Sequence, residues 1–245
     1  MSVIKKIMHK LRAKRIWSVI VVAAGNARRM QGIDKIMTPI GGAPILARTL
    51  SVFQSNDNIS EIVVVTRSDL LKDVESICKA NKLNKVTAVV AGGAERVDSV
   101  REGLRAVRQD AQLIAIHDGA RPFLSQQVLN EVLHQAAATG AAAPAIAVSD
   151  TIKQVNEQGH VYATVDRSSL RAIQTPQVFQ ADLIRAAIEK ACKDNAAVTD
   201  DCSAVERLGM TVVLTKGDVK NIKVTTPFDL IIANAIVSQQ EEGEE

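Results

Sequence analysis

From Trp17 onward the chain predicts an α/β domain built on a mostly parallel sheet with helices on its faces. Short apolar runs of strand length alternate with stretches whose apolar residues recur at helical spacing. Loops that follow the runs, at 23–30, 92–99 and 117–122, gather Gly, Asp and Arg. Right-handed crossovers bring such loops to one rim beyond the strands' carboxyl ends, where ligands of these sheets bind. The 245 residues, 47% of them hydrophobic, suffice to bury one core of this kind.

In chain order, strands are expected at 19–24, 62–66, 86–90, 113–116 and 143–148, with helices at 46–53, 70–80, 97–107 and 128–137 between them. The last of these helices places Val128, Leu129, Val132, Leu133 and Ala136 on one face. The rhythm breaks at about 150–172. Alternating segments at 151–155 and 161–165 flank Asn156-Glu157-Gln158-Gly159-His160, a protruding β-hairpin arm with too little apolar content for its own core. It should therefore lean on something, and a partner subunit is the candidate. Helices follow around 181–192 and 201–208, then strands at 212–215 and 222–224. The last helix opens with Thr226 as N-cap, Pro227 at the first helical position and Asp229 near the third. Residues 17–240 read as one domain, with a disordered acidic tail at 241–245.

A basic extension, 1–16, precedes the domain. Ile4, Ile7, Met8 and Leu11 recur at helical spacing among Lys5, Lys6, Lys10 and Arg12. It is read as packed or solvent-exposed rather than membrane-bound. Six of the 30 Lys/Arg and none of the 27 Asp/Glu fall in the first 15 residues, so the body is near neutral. With four Phe, one Trp and one Tyr, it lacks both the basic face and the stacking aromatics of a nucleic-acid binder. Cys78, Cys192 and Cys202 form no CxxC pair, and His9, His117, His134 and His160 have no ligand spacing. The longest apolar run, 19–24, is too short to span a bilayer, and no signal-peptide pattern is present. A cytoplasmic protein with reduced thiols is expected.

Three loops could carry chemistry. Ala23-Ala24-Gly25-Asn26-Ala27-Arg28-Arg29-Met30, closed by Lys35, is a small-residue turn with cations after a strand. Free backbone N–H groups and added positive charge suit phosphate oxygens. Gly25 alone does not make a GxGxxG fingerprint, and there is no GxxxxGK[ST] loop. Taken singly, the segment is equally an ordinary turn with surface arginines. Gly92-Gly93-Ala94-Glu95-Arg96-Val97-Asp98-Ser99 offers a double glycine for close approach of a base or ribose, with Ser99 to read polar edges. In His117-Asp118-Gly119-Ala120-Arg121-Pro122, Asp118 is a natural Mg²⁺ ligand beside phosphates. Arg121 is read as holding the loop and His117 as a buried structural residue.

These loops, together with Asp150-Thr151, Thr164-Val165-Asp166-Arg167, Gln174-Thr175-Pro176-Gln177-Val178-Phe179, Thr199-Asp200 and Asn221-Ile222-Lys223-Val224-Thr225, resemble the 2-C-methyl-D-erythritol 4-phosphate cytidylyltransferase family over about residues 17–237. The resemblance implies a Rossmann-like fold of the nucleotide-diphospho-sugar transferase type and the non-mevalonate isoprenoid pathway. The implied reaction takes CTP and methylerythritol 4-phosphate to the CDP-alcohol and pyrophosphate, with Mg²⁺, in a homodimer joined through the arm. By the same resemblance Ala23, Ala24 and Gly25 line the nucleotide, and Gly93, Arg96 and Ser99 surround the cytidine. Asp118 and Gly119 sit near the ribose or metal, while Arg29, Lys35 and Lys223 stabilise charge at the α-phosphorus. Thr151 and Arg167 reach a neighbouring subunit to grip the polyol phosphate, and Thr175, Thr199 and Asp200 position that substrate or its loop.

Asn26, Ala27, Asp34 and Ala94 depart from the family's usual residues, which include a glycine at the place of Ala27 and an acid at the place of Ala94. No catalytic cation is lost. The competing readings are a ribitol 5-phosphate cytidylyltransferase and a catalytically silent dimeric nucleotide-binding module.

Overall fold

The computed structural model describes residues 16–25 and 35–242. The expectations for the basic extension, and for Asn26, Ala27, Arg29 and Asp34 in the first loop, fall outside the described residues. The first half of the chain runs β1 (Trp17–Ala23), β2 (Pro39–Ile40), β3 (Ala43–Pro44), α1 (Ile45–Gln54), β4 (Ile59–Thr66), α2 (Leu71–Ala80), β5 (Val86–Ala91), α3 (Arg96–Ala106), β6 (Leu113–Asp118) and α4 (Gln126–Thr139). The second runs β7 (Ala141–Ala147), β8 (Lys153–Val155), β9 (Val161–Thr164), β10 (Arg171–Ile173), β11 (Gln177–Gln180), α5 (Ala181–Lys193), α6 (Asp201–Glu206), β12 (Val213–Lys216) and α7 (Pro227–Glu242).

β1 lies at the centre, parallel to β4 on one side and β6 on the other, with β5 parallel beyond β4. Its β-branched run suits a strand buried on both faces. Alternate side chains enter two cores. Val19 and Val21 join Leu46, Leu50 and Phe53 of α1 and Leu129, Val132 and Leu133 of α4. Ile20 joins Val100 and Leu104 of α3 and Ile184 and Ile188 of α5. Burying each large apolar side chain contributes about 1.5–3 kcal/mol, so helices are needed on both faces.

The sheet is more mixed than the strand–helix rhythm predicts. β11 runs antiparallel to both β6 and β7, β10 antiparallel to β7, and β12 parallel to β7. The strand expected at 222–224 does not form. Asn221 gives its carbonyl to the Arg121 guanidinium (2.7 Å) and its amide nitrogen to the Thr175 carbonyl (2.9 Å), so side chains replace a ladder there. The acidic tail expected from 241 begins in helix, because α7 continues to Glu242.

A third core fixes α7 on the β2–β3 hairpin through Ile40, Ile45, Phe123, Val224, Ala233 and Val237. The hairpin turns on Gly41 and Gly42 at φ 49° and 76°, the left-handed pair that a two-residue turn requires. α7 starts as the sequence predicts: the Asp229 amide donates to the Thr226 hydroxyl (3.3 Å) and the Asp229 carboxylate accepts from the Thr226 amide (2.8 Å). This packing sets the preceding segment, which carries Lys223, over the sheet's carboxyl edge.

Candidate active site

The ends of β1, β4 and β6 and the turns that follow β4 and β5 open onto one cavity of about 510 Å³. It brings together Ala23, Ala24, Gly25, Lys35, Gly93, Arg96, Ser99, Asp118 and Lys223. Gly119 sits just behind, its amide bonded to the Val22 carbonyl at 2.8 Å. Arg67, Ser68 and Asp69, after β4, complete the wall and were not singled out from sequence.

The double glycine meets a demand of the protein itself. A Cβ on Gly92 would come within 2.6 Å of Ala24 Cβ and Ser99 Oγ, and one on Gly93 would collide with Asp98. The turn is thus pressed against the start of α3, which Glu95 and Asp98 close as a reciprocal capping box. Ser99 Oγ accepts from the Gly93 amide (3.2 Å) and donates to the Glu95 carbonyl (3.2 Å), so this hydroxyl shapes the turn.

Asp118 is the electrostatic hub. Its carboxylate lies 2.8 Å from Lys223 Nζ, 3.4 Å from Arg121 Nε and 3.8 Å from Arg96 Nε. Burial opposes its ionisation, yet Lys223, Arg96 and Arg121 together hold the carboxyl well below the usual range. Arg96 turns the other edge of its guanidinium to Asp201, bidentate at 2.8 and 2.7 Å. Asp201 is only 1% exposed. Burial pushes its carboxyl up against the pull of Arg96.

The Gln174–Gln177 segment holds this hub from behind. Gln174 Nε2 donates to the Asp218 carbonyl (2.7 Å), which anchors the loop leading to Lys223. Gln177 Oε1 accepts from the amides of Asp201 and Cys202 (2.9 and 3.0 Å), and its Nε2 donates to Asp200 (2.8 Å). Thr175 Oγ1 accepts from the Asp118 amide (3.1 Å), which leaves its proton for His117 Nδ1 at 3.0 Å. The His117 Nε2–H then donates to the Arg121 carbonyl (3.1 Å). Fully buried against Phe53, this imidazole is pushed down to about 4 by desolvation and stays neutral, as a structural histidine should.

The remaining predicted residues lie elsewhere. Thr175 is buried, and Asp200 accepts from the Ser203 amide (2.9 Å) as the N-cap of α6, with exposed Thr199 beside it. Thr151 and Arg167 are exposed around the hairpin, where Arg167 donates to the Ser149 carbonyl. β8 and β9 pair only with each other, apart from the main sheet. Among the described residues no group of three or more His, Cys, Asp or Glu could hold a metal ion, and no helix is long and apolar enough to cross a membrane. Sequence reasoning also missed Gln174, Gln177 and Asp201 as framework. The adjacent pair Asp200-Asp201 at a helix start was a usable signal, since one acid caps a helix and the other needs a different partner.

The profile of the 2-C-methyl-D-erythritol 4-phosphate cytidylyltransferase family matches residues 17–239. The chain is 43% identical over 224 residues to an enzyme of that name from Syntrophus aciditrophicus, covering 91% of this chain and 96% of that one. It is 44% identical over 225 residues to one from Geobacillus thermodenitrificans, covering 91% and 98%. Among solved structures, 4-diphosphocytidyl-2C-methyl-D-erythritol synthase from Anaerococcus prevotii superposes with a TM-score of 0.82 at 31% identity, covering 92% of this chain and 97% of that one.

Proposed function

The chain belongs to the 2-C-methyl-D-erythritol 4-phosphate cytidylyltransferase family, and from that premise we propose how its residues divide the work. The enzyme joins CTP and 2-C-methyl-D-erythritol 4-phosphate into 4-diphosphocytidyl-2-C-methyl-D-erythritol and releases pyrophosphate, a step toward isoprenoid precursors. A phosphate oxygen of the alcohol phosphate bonds to the α-phosphorus of CTP as the bond to the β-phosphate bridge breaks. The attacking oxygen is already ionised near pH 7, so no general base is needed. Alignment and positive charge are needed instead.

The observation that carries this assignment is one cavity at the carboxyl ends of parallel strands, lined by Lys35 and by Asp118 with its partners Lys223 and Arg96. Lys35 and Lys223, with Arg29 from the first loop, neutralise the triphosphate, while Ala23, Ala24, Gly25, Gly93, Arg96 and Ser99 form the nucleoside wall beside Asp118 and Gly119. Three cations already face Asp118, so these residues do not make a standing metal site. Asp118 would hold Mg²⁺ only together with the phosphate oxygens of CTP, and the ion would supply charge neutralisation there.

Thr175, through buried bonds, and Asp200, through half-buried ones, position the loops of the site, with Thr199 beside them. Thr151 and Arg167 act on the acceptor phosphate from the arm of a partner subunit, in a cytoplasmic homodimer whose catalytic unit spans 17–240. The test is pyrophosphate release with CTP and Mg²⁺, comparing methylerythritol 4-phosphate with ribitol 5-phosphate. Release with the first acceptor alone is expected, and preference for ribitol phosphate would move the acceptor assignment. Lys35→Ala should lower kcat by roughly 100- to 1,000-fold, the cost of losing one preorganised donor.

A further inference from the structure

Among the described residues three carboxylates reach the cavity: Asp69, Glu95 and Asp118. Asp118 is enclosed by Lys223, Arg121 and Arg96. The Glu95 side chain closes the capping box of α3. Ala94, on the same wall, has no polar side chain, and the Ser99 hydroxyl is bonded within the turn. Asp69 remains. It follows β4 in the turn Ser68–Leu70, its side chain is 64% exposed, and Arg67 grips both its oxygens through Nε (3.0 Å) and Nη2 (2.9 Å). Both oxygens keep a lone pair to offer, and Arg67 fixes the direction in which they point.

Strand order places this acid with respect to a nucleotide. Asp118 ends β6, and the sheet runs β6, β1, β4, β5 from there. Three strand spacings separate β6 from β5, roughly 14 Å, about the reach of a nucleoside triphosphate from phosphate to base. With the triphosphate over Lys223 and Lys35, the base falls over the ends of β4 and β5, between Arg67–Asp69 and the double glycine. Cytosine presents there an amine donor where uracil presents a carbonyl acceptor.

We propose that Asp69, oriented by Arg67, sets the choice of nucleobase by accepting a hydrogen bond from the exocyclic amine of cytosine and repelling the corresponding oxygen of uracil. The inference rests on the CTP reading of this cavity. A fixed, acceptor-only group discriminates in both directions, rewarding one base and leaving the other with two facing acceptors.

Calorimetric binding of CTP and of UTP, each with Mg²⁺ and without acceptor, to the full-length enzyme and to Asp69→Ala tests it. CTP should bind roughly 10- to 100-fold more weakly to the variant, as for loss of a hydrogen bond to a charged group, while UTP binds as well as before or better. Asp69→Asn, whose amide can rotate to offer either a donor or an acceptor, should retain CTP binding and bring the two affinities together. An unchanged CTP-to-UTP ratio in Asp69→Ala, or equal weakening of both nucleotides, overturns the proposal. Failure of the CTP reading looks different: the wild-type enzyme itself binds neither nucleotide.

Discussion

Behind the cavity the charged and polar groups lie inside the fold: Asp201 is 1% exposed, Asp118 7% and His117 fully buried. In the hairpin of β8 and β9 the arrangement is inverted, and Val155, Val161 and Tyr162 stand 53–67% exposed. Burying a charge is costly unless a partner and hydrogen bonds compensate it, and near the cavity each does have its partner: Asp201 with Arg96, Asp118 with three cations. Exposed apolar side chains gathered on one element mark a surface made to be covered. The described cavity is therefore held by contacts within one chain, whereas the arm leaves its apolar side chains uncovered.

The largest effect is expected where the buried network is opened. Asp201→Ala would leave the Arg96 guanidinium without its bidentate partner, and removing one member of a buried pair costs about 3–5 kcal/mol. Urea unfolding should show a loss in that range, and the start of α3 should lose its fixed position against α6. A loss below about 1 kcal/mol, typical of an exposed pair, would show that water already satisfies Arg96 and that the rim resembles the arm.

A smaller effect comes from the neutral imidazole beneath Asp118. The folded-state value of His117 is pushed down to about 4, below the ordinary 6.5, so the unfolded chain takes up a proton that the folded one refuses. Its contribution is present above pH 6.5 and is lost as the pH falls from 6.5 toward 4. Between pH 7 and pH 5 this amounts to about 2 kcal/mol of unfolding free energy. Unfolding curves at the two pH values should show that loss, and His117→Gln should be less stable at pH 7 but lose less on going to pH 5. An equal pH dependence in the variant would assign the acid sensitivity to other groups.

The uneven legibility of the sequence has a physical cause. β1, β4, β5 and β6 are read from their apolar runs, because a strand covered on both faces imposes a local pattern. β10 and β11 have three and four residues and are separated by Pro176, too short for alternation to register. The pairing of Arg96 with Asp201 spans 105 residues, and no local pattern announces a contact at that distance. The same holds for Gln177, whose amide ties α6 to the sheet. Asp69 two residues after Arg67 looks like any solvated pair until the fold sets it at the mouth of the cavity. Lys35 is legible from its place closing the first loop, whereas Lys223 comes from family resemblance. The carboxyl rim itself followed from topology alone.

Arg167 decides whether the arm acts within its own subunit or across to the next. Arg167→Ala should raise KM for the alcohol phosphate about tenfold, the loss of one charge-assisted contact, with CTP affinity unchanged. Stability should move by less than about 0.5 kcal/mol, because Arg167 is exposed. That pattern alone does not say which subunit's site the residue serves. Mixing does. If each site takes Lys35 from one chain and Arg167 from the other, a heterodimer of Lys35→Ala with Arg167→Ala holds one site with both residues intact. Assayed at a low concentration of the alcohol phosphate, where each parent is impaired, randomly exchanged subunits should recover roughly a quarter of wild-type activity. Activity no greater than the average of the two parents would place Arg167 in the service of its own chain, and the hairpin's exposed apolar face would then need a different occupant.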